Sequence, residues 1–313
     1  MQGALAHRNG VLYVGRHAKT AWVRAFDLDG RPLETSFSLR DEVVGRSSVE
    51  ALAIDEDHRL WLADGAAGKL RAFTLFGREV ACVEDEPLTD GEREDSRGRI
   101  GTPSGLAVDG SDDELVVAVA SRGRRRHALQ LLHPDSGRTR SVRPRGNPRG
   151  EFHGLRGVAL AGDWLYACET GTGRVHVFRD GEHHFEFACE AADGRESVPV
   201  AVDVLPDRRA VVAMAGDASA LLLVDPAGRV MRVLAREPLG PGDLEEGSIE
   251  QPGDVVVAPG ADDGETRVAA IDRDGERVQV FSLEGRCYGA FLGLDPASED
   301  SASRDSRGSE PGA

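Results

Sequence analysis

Lysine is almost absent from this chain: of 38 basic residues only Lys19 and Lys69 are lysines, and the rest are arginine. So general a skew is what a GC-rich coding sequence produces, and arginine density alone does not signal guanidinium chemistry. Asparagine is limited to Asn9 and Asn147. Cysteine is limited to Cys82, Cys168, Cys189 and Cys287, widely spread and with no CxxC pairing, which excludes a disulfide-stapled scaffold and reads as reduced core thiols. No run approaches the ~18 uninterrupted apolar residues of a spanning helix. The best stretch, Ala210 to Val224, is broken by Gly216, Asp217 and Ser219, so an integral membrane protein is excluded. The opening residues MQGALAHRNGVLYV lack a basic start, an apolar core and a small-residue cleavage site, and the expected location is cytoplasmic. Neither a GxSxG elbow nor a GxxxxGK[ST] phosphate loop occurs, which leaves nucleophilic and nucleotide chemistry unsupported.

What remains is a chain of 313 residues, 40% hydrophobic and 29% charged, enough to bury a sizeable core. Its net charge of −16 opposes non-specific binding to nucleic acid or anionic membranes by the chain as a whole.

Internal repetition dominates the sequence. The segments WVRAFDLDGR (from Trp22), KLRAFTLFGR (Lys69), HALQLLHPDSGR (His127), RVHVFRDGEH (Arg174), ALLLVDPAGR (Ala220) and RVQVFSLEGR (Arg277) share alternating apolar residues, a polar turn, and Gly-Arg or a near equivalent. Period-two alternation predicts a half-buried strand, and the glycine marks a hairpin into the next. Before each lies a second run, such as VLYVG, LWLAD or WLYACE, and before that a third, such as EALAID, SGLAVD or PVAVDV. Polar joints such as DEDH and PDRR separate them. Each unit therefore reads as four antiparallel strands, a to d, with a period in the range of propeller blades. The fold class is all-β, a six-bladed β-propeller of four-stranded antiparallel blades. It forms a single domain over residues 1–294, with blades at about 3–40, 47–86, 98–150, 151–191, 197–238 and 247–294. The last stretch, 295–313, has no large apolar residue beyond the domain and is expected to be a disordered acidic and polar tail.

The units resemble NHL repeats, whose pattern is roughly a GVAVD strand, a YVAD strand and an RVQVF strand. The resemblance runs from Gly3 to Leu294 and is strongest at LWLADGAAGKLRAF, WLYACETGTGRVHVF and RVQVFSLEGR. It implies that the loops from strand b to c and from strand d to the next a gather on one face around a central channel. That face then carries Arg16, Glu50, Ser104, Arg156, Glu169 and Asp254 as ligand-face candidates. Asp64, Glu169 and Asp272 end strand b in alternate blades. Either they form a ring of oxygen ligands for a divalent cation such as calcium, or each accepts N–H bonds within its own turn.

Some NHL-like enzymes resemble lyases with a histidine-bound zinc. Here only His17 and His153 are expected to reach the ligand face, whereas catalytic zinc takes three protein ligands. Lactonases of the related type use a Glu, Asn and Asp set, and neither asparagine falls in the required place. The expectation is no catalytic residue, no cofactor, and a non-catalytic scaffold for a charged protein partner. The alternative is a metal-assisted hydrolase or lyase at the channel mouth.

The third unit is the basic one. Between Ser121 and Gly150 there are nine arginines against one acid, Asp135; the candidate patch is Arg122, Arg124, Arg125, Arg126, Arg143, Arg145 and Arg149. Opposite it in charge is the loop from Glu84 to Asp95, with seven acids against Arg93. The patch either neutralises that loop or docks an acidic partner. Nucleic acid is disfavoured because no aromatic in the stretch can stack a base.

Overall fold

In the computed structural model, each repeated unit is one four-stranded antiparallel sheet, and six such sheets form the ring of a β-propeller. The structure describes residues 3–17, 21–39, 47–84, 100–110, 115–122, 127–145, 152–189, 195–238, 247–259, 264–272 and 277–291. The first blade is β1 (Gly3–Arg8), β2 (Val11–His17), β3 (Ala21–Asp27) and β4 (Pro32–Leu39). The second is β5 (Ala51–Ile54), β6 (Arg59–Asp64), β7 (Lys69–Thr74) and β8 (Glu79–Glu84). The third comprises β9 (Thr102–Asp109), β10 (Val116–Arg122), β11 (His127–His133) and β12 (Arg138–Val142). The fourth comprises β13 (Leu155–Ala161), β14 (Trp164–Glu169), β15 (Arg174–Arg179) and β16 (Glu182–Ala188). Blade five holds β17 (Ser197–Val204), β18 (Ala210–Gly216), β19 (Ala220–Val224) and β20 (Val230–Arg236). Blade six holds β21 (Pro252–Pro259), β22 (Thr266–Asp272), β23 (Arg277–Ser282) and β24 (Cys287–Phe291).

The core is divided into six clusters, each lodged between two neighbouring blades. A blade is therefore covered on both faces, and this corrects the half-buried reading of the third strands. Their polar positions are as buried as their apolar ones: Gln130 and Gln279 are 0% exposed and His176 is 3%. The outer strands are the more exposed, as β16 shows by alternating exposed and partly buried residues over most of its length.

Among the described residues every sheet uses strands consecutive in sequence, and no strand is shared between the first and last blades. The ring closes on side chains. Leu5, Leu12, Val14, Trp22 and Phe26 pack against Ala269, Ile271, Val278 and Val280, and Phe26 meets Phe291 at 5.0 Å between ring centroids.

In three of the repeats the glycine before strand d has a packing cause. Gly30, Gly77 and Gly228 all have φ near +80°, and a Cβ there would fall within 2.5 Å of Phe291, Phe37 and Phe187 respectively. Each glycine thus turns the chain into strand d and leaves room for the outer-strand aromatic of the preceding blade. At the junction of the third and fourth blades the intruder is a cation, with Arg140 lying over Gly181.

Candidate functional site

The first strands of all six blades line the central channel, which holds a cavity of about 160 Å³. Its polar lining includes His7, Glu50, Ser104, Arg156, Asp203 and Asp254. Four of the ligand-face candidates, Glu50, Ser104, Arg156 and Asp254, therefore reach the channel, whereas Arg16 and Glu169 do not line it. Arg16 is buried in β2, opposite Gly3 on one side and Trp22 on the other.

Several of the channel groups hold blades together. Ser104 Oγ donates to Leu155 O of the next blade and to Ala120 O of its own. Asp203 Oδ2 accepts the N–H of Val257 at 2.7 Å, and Asp254 Oδ2 accepts that of Leu5 at 2.8 Å. Each also uses Oδ1 on the following amide, Val204 or Val255. Burial pushes the carboxyls up to about 6 for Asp203 and about 7 for Asp254, against the backbone N–H bonds each accepts, and at Asp254 the charge of Asp203 adds like-charge repulsion. Burial also brings His7 down to about 4, and its Nε2 accepts the N–H of Gly10.

The three carboxylates that end strand b serve their own blades. Asp64 Oδ1 accepts N–H bonds from Ser48 and Ala67, and Arg71 lies 3.6 Å from Oδ2. Asp272 accepts those of Glu250 and Gln251, with Arg277 at 3.3 Å. Glu169 Oε1 accepts that of His153, and Oε2 takes Thr172 Oγ1 and His176 Nε2. Burial opposes ionisation of Glu169, but these hydrogen bonds outweigh it and set its carboxyl at about 2. In each blade the carboxylate pins the loop that enters strand a. The set does not converge on one ion: among the described residues the donor group compact enough for a metal is His176, His183 and Glu186.

That group was not visible as a constellation in the sequence. The repeat register places His183 and His184 around the turn from strand c to d, but the structure puts both inside β16. His133 ends β11 at the turn to β12, and His7 lies in β1. His153 sits against Gly171, its carbonyl accepting that residue's N–H.

Of the basic patch, Arg143 and Arg145 are exposed just after β12. Arg122 ends β10, while Arg124, Arg125, Arg126 and Arg149, and the acidic stretch from Asp85 to Asp95, lie outside the described residues. Among the described residues no helix is long and apolar enough to cross a membrane.

No protein-family model matches the chain, and no curated protein matches it by sequence. Solved structures share its fold. A chain of the nidogen/laminin complex is 15% identical with a TM-score of 0.61, over 90% of this chain and 93% of that one. The catalytically inactive H270A virginiamycin B lyase from Staphylococcus aureus, with quinupristin, is 13% identical with a TM-score of 0.57, covering 95% and 85%. XC5397 from Xanthomonas campestris, a gluconolactonase, is 14% identical with a TM-score of 0.56, covering 87% and 83%. At such identities the likeness establishes the six-bladed fold and nothing about chemistry.

Proposed function

We propose that this chain is an NHL-like propeller acting as a non-catalytic scaffold in the cytoplasm, docking an acidic protein partner on the arginine-bearing side of its third blade. The observation that carries this reading is the contrast between two sets of polar groups. In the channel, Ser104, Asp203 and Asp254 bind backbone groups of the next blade. On the third blade, Arg143 and Arg145 stand exposed. Exposed cations of this kind steer an acidic partner and fix its orientation. The nidogen/laminin structure, a protein complex that includes a chain of this fold, supports the reading by analogy.

The test is a pull-down from the source cell at low and high salt, using wild type and a variant with Arg124, Arg125, Arg126, Arg143 and Arg145 reversed to glutamate. Salt-sensitive partners should be lost from the variant while its circular dichroism is unchanged. Retention of the same partners would sink the scaffold reading. Turnover of esters or lactones by the wild type would replace it with the metal-assisted hydrolase or lyase alternative.

A further inference from the structure

We propose that His176, His183 and Glu186, on the outer half of the fourth blade, form a binding site for a divalent transition metal of the zinc class. The site is separate from the channel, and the inference does not rest on the scaffold reading.

Local structure builds it first. His176 on β15 stands directly opposite Glu186 on β16, and Phe178 stands opposite His183. On a regular strand, residues three apart point to opposite faces. Between Val177 and Phe178, however, the register shifts by a bulge that leaves one extra residue, His184, on the outer strand. The shift returns His183 to the face that carries Glu186, and His184 turns away to stack edge-on against Trp164.

The geometry then fits an ion. The ligand atoms of the three residues lie within 4.8 Å of one another. Glu186 Oε2 is 3.4 Å from His176 Nδ1 and 3.7 Å from His183 Nε2. Metal–ligand bonds of about 2.0–2.1 Å in a tetrahedron put neighbouring ligands about 3.4 Å apart. Both imidazoles also carry buried nitrogens with no hydrogen-bond partner: Nδ1 of His176, and Nδ1 and Nε2 of His183. Buried polar atoms are nearly always satisfied, and an ion is one of the few things that satisfies two rings at once.

A supporting shell is in place. Glu169 Oε2 takes His176 Nε2 at 2.9 Å, which directs the proton to that nitrogen and leaves the Nδ1 lone pair facing Glu186. Thr172 and the His153 N–H hold Glu169 in turn. Arg174 engages the other oxygen of Glu186 at 3.2 Å, keeping Oε2 toward the rings. Phe152 meets His176, and Phe178 meets His183, each at 5.5 Å edge to face, forming an apolar wall. Two cations oppose a bound ion: Arg174, through its contact with Glu186, and Arg145, through its field at His183.

Two imidazoles and one carboxylate select a borderline metal over calcium or magnesium, which prefer all-oxygen shells. Three protein ligands leave a fourth position, and the Glu186 side chain, 37% exposed, opens it to water.

The test is calorimetric titration of the full chain, stripped with chelator, with Zn²⁺ alone, and the Co²⁺ absorption spectrum as a second readout. We expect one ion per chain, a four-coordinate Co²⁺ spectrum, and no competition from a large excess of Mg²⁺. His183→Ala and Glu186→Gln should each weaken binding at least about tenfold with circular dichroism unchanged. His184→Ala should bind as wild type. Absence of saturable 1:1 binding, or equal loss in His184→Ala, would overturn the proposal, the latter by showing a surface histidine pair. So would wild-type affinity in both ligand variants.

Discussion

Asp254 Oδ2 accepts the backbone N–H of Leu5 at 2.8 Å, so a carboxylate 249 residues further along the chain ties the sixth blade to the first. Burial, with Asp203 beside it, raises this carboxyl from 3.8 to about 7. The folded protein therefore holds the proton more tightly than the unfolded chain does. The stabilisation from this group is fully present below the unfolded value of 3.8 and is lost as pH rises through about 7. Melting curves of wild type and Asp254→Asn should show the wild type losing ground to the variant between about pH 4 and about pH 7. A gap that is flat with pH would show that the carboxyl does not titrate in that window.

Gly157 lies where two inner strands meet, and a Cβ there would sit 2.5 Å from Ala201 Cα and 2.9 Å from Val200 O. These are backbone atoms that cannot swing aside. Gly157→Ala should cost about 1–3 kcal/mol in denaturant unfolding. Gly110→Ala, whose Cβ would meet nothing nearer than 3.6 Å, should be close to neutral. Similar midpoints for the two would refute the close approach of the inner strands.

At the closing seam, Phe291 stacks on Phe26 and fills the space above Gly30. Phe291→Ala should cost about 2–3 kcal/mol, below the range for a fully buried phenylalanine because this ring is only partly covered. Removing residues 295–313 should leave the thermal midpoint where it is. A large drop on that truncation would assign closure to the tail.

None of the four cysteines is in a disulfide; Cys168 and Cys189 are buried and Cys82 is exposed. Burial raises the Cys168 thiol well above its usual value and pushes Cys189 up to about 12, so neither presents a thiolate. In the native protein Cys82 should be alkylated first. After denaturation without reductant all four thiols should titrate, and a count of two would contradict both the reduced state and a cytoplasmic location.

The blades were legible because a propeller repeats its strand pattern, and the glycine after each third strand is a turn signal, with a steric cause at Gly30, Gly77 and Gly228. Burial along those third strands was not. Arg71, Gln130, His176 and Gln279 look like solvent-facing positions, yet a blade is covered on both faces and they lie inside. For Asp64, Glu169 and Asp272 the sequence left two readings open, a ring of oxygen ligands or local N–H acceptors, and the amides they bind belong to their own loops, as the second reading has it. The pairing of His183 with Glu186 was hidden by a bulge, since one inserted residue reverses the facing that period-two counting assigns.

Closure without a shared strand has an entropic meaning. The Asp203–Val257 link between the fifth and sixth blades spans 54 residues, while the Asp254–Leu5 link spans 249. Loop-closure cost grows only with the logarithm of length, so the longer loop adds about 1.4 kcal/mol. One aromatic contact at the seam, such as Phe26 with Phe291, contributes on that scale. Joining the last blade to the first is thus hardly more demanding than joining any other pair, and interlocking side chains suffice where a borrowed strand would otherwise be needed.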